Sequence, residues 1–560
     1  MFKSLRERSH LVGRLQQILR VLSHHGFYHI VKRLSLHGQL SPLDRLRYAR
    51  LHQQEDRDDA IHLRQACEEL GPSFTEFGQL LSTRPDLVPE AFAAELSQLL
   101  TNTRPEPWAI IQTVLPEEFF EAGSPFSTID PKPLAAASIA QIHRATLKQD
   151  DAEVILKIQR PGIEKLITLD LAVLRLLARL AEKYLAESRP LNPVRMVEEF
   201  AISIHQELDF ILEATYMDRF ARIFADDPYI FSPRVYWEWT TPKILVMEYL
   251  DGIPLGNIER LRRADVDLEK VASRLLQAFL RQIFLYGFFH SDPHAGNFLA
   301  MPKSRIAFID FGLVEQISEA ERQSLARLFW ATLQEDYEQV ATLWLEMAPP
   351  AGANADPGGF RRGLEKILWK QLNQPYERVR IGEMFLQMVQ NGARHGLKLP
   401  SELFLLFRTL AEIEGLLRLL HPGFNVIAHC HEFVQEQEAA AREPAQMARA
   451  ARDEAQQWVG TVWRLPHELE DLLKRMMAGR FSVDFVHQGL DYLIGEMDRS
   501  SNRLTVGLIV AALIIGSSLI ILAGKGPMLW DLPIFGLAAF AIACLLGLFL
   551  VLLVLRSGKY

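Results

Sequence analysis

The sequence predicts an α+β fold in two lobes, with a helical N-terminal extension and a C-terminal hairpin of apolar helices. Three observations carry that expectation. From residue 133 to about 250, strand-like runs such as Glu153–Gln159 and Ile244–Leu250 alternate with long helical patterns. Residues 270–348 and 360–425 keep helical spacing on either side of the Pro/Gly loop Pro349–Gly359. Leu504 to Ala523 and Leu532 to Leu555 are uncharged runs of 20 and 24 residues.

Taken in order, residues 1–60 form a basic helical arm, and residues 61–132 a helical extension broken by prolines at 72, 85, 89, 105 and 107. A small lobe follows over 133–250, a large lobe over 251–425, a helical linker over 426–503 and two transmembrane helices over 504–555. A chain of 560 residues has ample length for a large core. Hydrophobic residues at 49% and charged residues at 23% exclude a mainly disordered protein. Only three cysteines occur, Cys67, Cys430 and Cys544, far apart, so the reading is a reducing compartment with no disulfide framework. His429-Cys430-His431 is no metal motif, since residues two apart on a helix face different ways.

The net charge of −8 hides an asymmetry. Residues 1–50 hold ten Lys/Arg against Glu7 and Asp44, a net of +8, which leaves −16 for the remainder. That arm, with Leu11, Leu15, Ile18, Leu19 and Leu22 interleaved, reads either as a surface for anionic lipid or phosphate or as a basic helix packed on its own protein. Nucleic acid is excluded as a partner because the acidic remainder would repel it.

At about 1.5 Å per residue the two C-terminal runs extend roughly 30 and 36 Å, enough for a hydrocarbon core of about 30 Å. Arg499, Arg503, Arg556 and Lys559 flank the hairpin, against Lys525 alone in the turn with Trp530. The positive-inside rule places the long N-terminal part in the cytoplasm. Small residues four apart, Ala512/Gly516 and Ala539/Ala543/Gly547, would let the helices approach closely.

The chemistry lies between residues 133 and 313. His290-Ser-Asp-Pro-His-Ala-Gly-Asn297 precedes an apolar strand that ends in Asp310-Phe-Gly312. Phosphoryl transfer from ATP needs a carboxylate to orient the nucleophile and oxygen ligands to hold Mg²⁺ on the phosphates. Asp292 suits the first task, and Asn297 and Asp310 the second. Their spacings of five and thirteen residues match the catalytic and metal loops of protein-kinase-like folds. Lys157 in the strand Glu153–Gln159 would face the α- and β-phosphates, with Glu213 as its partner in preference to Glu207. Asp209 and Glu213, four apart on a helix Val197–Phe220, would share a face. Ile244–Leu250 enters the hinge, with Met247 behind the adenine and the Glu248 carbonyl and Leu250 amide facing the base. Where a Gly-rich phosphate loop belongs, the chain has Leu134, Ala135, Ala136, Ala137, Ser138, Ile139, Ala140, Gln141 and Ile142, a stiffer loop than glycine would give.

The Ala-rich loop, Gln206-Glu-Leu-Asp-Phe210, His290–Asn297, Asp310-Phe-Gly312 and Gly71–Gln79 together resemble the UbiB family of atypical kinase-like proteins, also called AarF/ADCK. The resemblance covers about residues 65 to 425 and implies a kinase-like fold that binds ATP and Mg²⁺. It further implies an ATPase tied to membrane lipid, and support of quinone biosynthesis at the bacterial inner membrane. Polyprenyl quinone precursors and quinone-biosynthesis enzymes are then the expected partners. In the family a Lys-x-Gly-Gln motif reaches the nucleotide pocket beside the Glu-x-Asp carboxylates, here Glu207 and Asp209. This chain has Glu76 at the lysine position and Gln79 at the end of the motif. Three acids would then gather near the phosphates unless Mg²⁺ or an arginine such as Arg84 intervenes. Weaker nucleotide binding or an extra metal is the expectation.

After Gly312 a helical pattern resumes within about six residues, with Ser318 and Glu321 spaced as a capping box. That leaves no activation segment for a peptide platform. The readings are a membrane-anchored ATPase that handles a polyprenyl lipid, a small-molecule or lipid kinase, or a non-catalytic ATP-binding scaffold.

Overall fold

The computed structural model describes residues 5–40, 44, 59–82, 88, 90–99, 104–121, 123–185, 192–350, 355–374, 379–441, 490–523, 527–529 and 532–556. Met1–Glu443 and Pro444–Tyr560 are two compact units. Arg84, Lys525, Trp530 and residues 442–489, which include most of the linker expected over 426–503, lie outside the described residues.

In the first unit a five-stranded antiparallel sheet opens at Phe126, ahead of the expected boundary. Its strands are β1 (Phe126–Ile129), β2 (Ala135–Ala136), β3 (Ala140–Leu147), β4 (Glu153–Gln159) and β6 (Ile244–Glu248). The order is β1-β3-β4-β6, with β2 on β3. Side chains alternate across a strand. Val154, Leu156 and Ile158 of β4 therefore join one core with Phe126, Ile244 and Val246, while Ile155 joins the larger core with Ile139, Leu245 and Met247. Lys157 shares the parity of Ile155, and register sets it between Ile142 and Leu245.

The second lobe holds β5 (Ile230–Phe231), β7 (Ile253–Pro254), β9 (Phe298–Met301) and β10 (Arg305–Phe308) in the order β5-β10-β9-β7. A separate pair joins β8 (Phe288–His290) to β11 (Val314–Gln316), with Val314 opposite His290. Helices from Glu319–Leu333 to Val426–Ala441 complete the unit. The first of them starts at the Ser318–Glu321 capping box.

The described helix of the N-terminal arm packs its apolar stripe on its own protein. In helix Leu5–His24 the residues Leu15, Ile18, Leu19 and Val21 are buried in the main core. Arg14 fixes the docking: Nε and Nη2 donate to the two oxygens of Asp170 at 2.6 and 3.0 Å, and Nη2 donates to the Leu70 carbonyl at 2.8 Å. The apolar stripe that could have met a membrane instead meets helices Ile163–Tyr184 and Asp59–Leu70. Burying that stripe stabilises more than leaving it to a surface.

The expected continuous helix Val197–Phe220 is two helices, Pro193–Glu207 and Phe210–Ile223. Asp209 breaks it, because its carboxylate accepts from the Ile211 amide at 3.0 Å as an N-cap. Asp209 and Glu213 therefore do not share a helical face.

In the second unit, helices Leu490–Ala523 and Ile534–Arg556 pack antiparallel, joined through the paired segments Met528–Leu529 and Leu532–Pro533. Of the small residues expected at their contact, a Cβ on Gly547 would come 3.7 Å from Val510 Cγ1, while one on Gly516 would meet nothing within 4 Å. The tightest approach is at Gly536, where a Cβ would come 2.8 Å from Ile521 Cγ1. Among the described residues, one helix, Thr505–Ala523, is long and apolar enough to cross a membrane, and Ile534–Leu548 is a shorter apolar stretch.

Candidate active site between the lobes

Lys157 is held from both lobes. Its Nζ donates to Glu213 Oε1 at 2.7 Å and to Asp310 Oδ2 at 3.1 Å. Glu213 comes from the first turn of helix Phe210–Ile223, whose start the Asp209 cap sets. Burial alone would lower Lys157, but the Asp310 and Glu213 carboxylates overcome it and lift the ammonium above its ordinary range. Glu213 is raised by burial against the pull of Lys157. For Asp310 burial works upward, yet Lys157 and the Gly312 amide hold it below its ordinary value. The Gly312 amide donates to Asp310 Oδ1 at 2.9 Å, so local backbone orients the carboxylate.

The loop that carries Asp292 is fixed through His290. Burial holds this imidazole below its ordinary range, so it is neutral near pH 7. Its Nε2 lies 2.6 Å from the Asp310 carbonyl, which can only accept, so Nε2 carries the proton. Its Nδ1 then accepts from the Asp292 amide at 3.2 Å. One ring thus locks the loop of Asp292 to the loop of Asp310. The His290 amide in turn donates to Gln282 Oε1 at 3.0 Å, from a π-helical turn over Arg281–Tyr286. Asn297 Nδ2 donates to the Asp292 carbonyl at 3.0 Å and to its Oδ2 at 3.2 Å. The nitrogen of Asn297 is thereby committed, which leaves the amide oxygen as the atom suited to a cation.

The Ala-rich loop is a tight turn. The Ala137 amide donates to the Ala140 carbonyl at 2.9 Å, and Arg160 Nε donates to the Ala137 carbonyl at 3.0 Å. Leu134 is exposed, Ala135 and Ala136 form β2, and Ile139 and Ala140 lie in the core. Gln141 is buried and engaged elsewhere: it bonds both backbone groups of Glu106 and lies 3.0 Å from His143 Nε2. Ile142 lies opposite Lys157. At the hinge, the Glu248 amide donates to the Arg234 carbonyl at 2.9 Å, and the Leu250 carbonyl accepts from Gly252 at 3.0 Å. Met247 is buried behind them.

Helix Pro72–Ser82 brings Glu76 into this site. Burial first, then the charge of Asp292, raise the Glu76 carboxyl to about 7, while the Ser138 hydroxyl works the other way. Glu207 is raised well above its ordinary value by burial, with Glu76 its strongest charged neighbour. Gln79 does not join them; its Nε2 donates to the Leu99 carbonyl at 2.9 Å. Asp209 is exposed at its cap position. Gly78 has a packing reason, since a Cβ there would meet Leu99 Cδ1 at 2.4 Å.

Sequence reasoning missed two supports of the loop. Thr409, on helix Ser401–Leu420, donates from Oγ1 to the Ser291 carbonyl at 3.1 Å. One turn on, Glu412 pairs with Arg408 at 2.6 Å, and Asp292 and His294 act on its charge. Both lie more than a hundred residues from the motif, so no local pattern announces them. Among the described residues, no three His, Cys, Asp or Glu side chains converge as a metal cage. A cation here needs oxygens from elsewhere, as Mg²⁺ on a triphosphate does.

Residues 98–344 match the ABC1 atypical kinase-like domain, residues 364–425 the UbiB helical domain and residues 488–556 the ABC1/UbiB kinase-like C-terminal domain. A Marinobacter nauticus protein named probable protein kinase UbiB is 32% identical, over 86% of this chain and 88% of its own. A Cellvibrio japonicus protein of the same name is 34% identical over 72% and 74%. A Clostridium pasteurianum protein, described as an uncharacterized protein in the hydrogenase 1 5' region, is 31% identical over 98% of this chain and 99% of its own. With these domains in sequence along one chain and relatives of that name aligned over most of it, the chain belongs to the UbiB family of atypical kinase-like proteins.

Proposed function

We propose that this chain is a membrane-anchored, Mg²⁺-dependent ATPase that supports ubiquinone biosynthesis by coupling hydrolysis to the handling or extraction of a polyprenyl lipid intermediate. The observation that carries this reading is the Lys157–Glu213–Asp310 cluster, set against a loop where Asn297 holds Asp292. ATP would lie between the lobes, with Lys157 on its phosphates and Asn297 and Asp310 as the protein ligands of Mg²⁺. Bound there, the metal would neutralise charge on the transferring phosphoryl group. Asp292 would orient a water toward that group and accept its proton, leaving ADP and inorganic phosphate.

The short connection after Gly312 favours water or a small acceptor over a peptide. The chain passes straight into Val314–Gln316, which pairs with β8, and then into the Ser318 cap. The peptide platform of protein kinases has no place in that span. The anchor would be the C-terminal helical pair, in two passes through the bacterial inner membrane, with the kinase-like unit in the cytoplasm. Thr505–Ala523 supports a first pass by its length and composition. Polyprenyl quinone precursors and quinone-biosynthesis enzymes are the proposed partners.

The test is Mg²⁺-dependent phosphate release by the full chain, with and without inner-membrane lipid and a phenolic polyprenyl compound, alongside Asp310→Asn. Lipid-stimulated release that the variant loses supports the ATPase. Labelled phosphate on a lipid or small metabolite replaces it with a kinase. Release no greater than that of the variant, with ATP still bound, replaces it with a scaffold.

A further inference from the structure

Helix Leu268–Leu280 does not run on regularly into the motif that follows it. The next six residues, Arg281–Tyr286, form a π-helical turn, which Gly287 ends in the left-handed region at φ 58°. A side chain there would be strained, and its Cβ would come 2.9 Å from the Ile317 carbonyl oxygen. Phe288 opens β8 at once, so the turn hands the chain straight to His290. Turns of this kind replace i→i+4 bonding by i→i+5, are rare, and lie frequently at functional sites. Here the turn carries Gln282, which has no exposure.

Packing alone does not account for an amide at this place. Gln282 Oε1 accepts from the His290 amide at 3.0 Å, while Nε2 is buried with no hydrogen-bond partner among the described residues. An apolar side chain of the same length would avoid that orphaned donor. What the amide supplies is the acceptor for His290, whose ring ties the Asp310 carbonyl through Nε2 and the Asp292 amide through Nδ1. Asp310 has two further anchors, Lys157 and the Gly312 amide. Among the described residues the Asp292 amide donates only to the His290 ring. The aim of Asp292 therefore depends on where His290 sits, and Gln282 holds its main chain.

We propose that Gln282 is a positioning residue for phosphoryl transfer: its acceptor oxygen fixes the His290 main chain and, through the imidazole, the aim of Asp292. This rests on the reading of Asp292 as the group that orients the nucleophile, and it holds for water or a small acceptor alike. Without the acceptor the His290 amide is buried and unpaired, so the backbone shifts toward another partner and carries the ring with it. Asp310 keeps the Gly312 amide and Lys157, and Lys157 keeps Glu213, so the nucleotide pocket changes little. The loss falls on the rate, because a displacement on the order of 1 Å at a reacting group costs a large factor in turnover.

The experiment measures kcat for phosphate transfer from ATP and the Kd of a non-hydrolysable ATP analogue, in the full chain and its variants. Gln282→Met keeps the length and removes the acceptor, so kcat should fall about tenfold or more while Kd stays within about twofold. Gln282→Glu, assayed at pH 6, where burial keeps the new carboxyl protonated, retains an acceptor oxygen and should recover most of the rate. Ile283→Val, at the next and equally buried position, removes a methyl group without touching the bond and serves as the packing control. An unchanged kcat in Gln282→Met overturns the proposal. So does an equal fall in Gln282→Glu or Ile283→Val, or a loss confined to analogue affinity. Gln282→Leu repeats the test if Gln282→Met does not fold. Amide hydrogen exchange over residues 288–297 is read in parallel and should quicken in Gln282→Met but not in Gln282→Glu. If the unaltered chain binds the analogue yet transfers no phosphate, the ATPase reading fails by itself, and equal exchange in the chain and in Gln282→Met still overturns the role of Gln282.

Discussion

Replacing Glu76 by glutamine, with divalent ions chelated and no nucleotide present, isolates the cost of an acid in this pocket. Folding raises the Glu76 carboxyl from an ordinary 4.5 to about 7. The folded chain therefore binds this proton more tightly than the unfolded chain. The associated stability is fully present below about 4.5 and is lost as pH rises toward 7. At about 1.4 kcal/mol per pH unit, that interval is worth about 3 kcal/mol. Glutamine keeps the shape and stays neutral, so the variant should match the unaltered chain near pH 5 and exceed it by up to about 3 kcal/mol at pH 8. Glu207 moves in the same sense, because Glu76 is its strongest charged neighbour and its carboxyl falls once that charge is gone. Asp292, Asp310, Glu213 and Lys157 also face the pair, and none of them is altered. Thermal unfolding of the full chain at pH 5 and pH 8 reads the effect, as a gain on the order of 5 °C confined to the higher pH. The same gain at both pH values, or none at pH 8, would refute the reasoning.

Arg14→Met removes the guanidinium from Asp170, which has no side-chain exposure. An uncompensated buried carboxylate costs about 3–5 kcal/mol, so the thermal midpoint should fall, and Arg14→Met with Asp170→Leu should recover most of the loss. Gly78→Ala forces Leu99 to shift and should cost about 1–3 kcal/mol; limited proteolysis would detect the loosened extension, and equal resistance would argue against the close packing. Thr409→Val keeps the shape but deletes the bond to the Ser291 carbonyl. About 1 kcal/mol of support for the loop is lost, so phosphate release should slow with little change in ATP affinity, and a change in affinity alone would assign Thr409 a different role.

Much of this site is legible in the sequence because its residues come in short motifs whose chemistry is local. Asp292 and Asn297 are five apart and bond each other, and Asp310 and Gly312 share a hydrogen bond two residues apart. Strand β4 is buried on both faces after Glu153, and Lys157 shares the face of Ile155. The break before Phe210 is also written locally, in the Asp209 cap, although the helical spacing on either side conceals it. The N-terminal arm shows the opposite case. Its amphipathic pattern fixes which face is apolar, but a lipid surface and a protein core satisfy that pattern equally. Asp170, 156 residues away, decides between them by pairing with Arg14. The same holds for Glu76 and Ser138, for Thr409 and Ser291, and for Gln141, which a loop motif would aim at phosphate but Glu106 holds. Periodicity and short spacing determine elements and local loops, because backbone geometry acts over a few residues. Which elements meet depends on burial and pairing across the whole chain, and only the tertiary structure decides that.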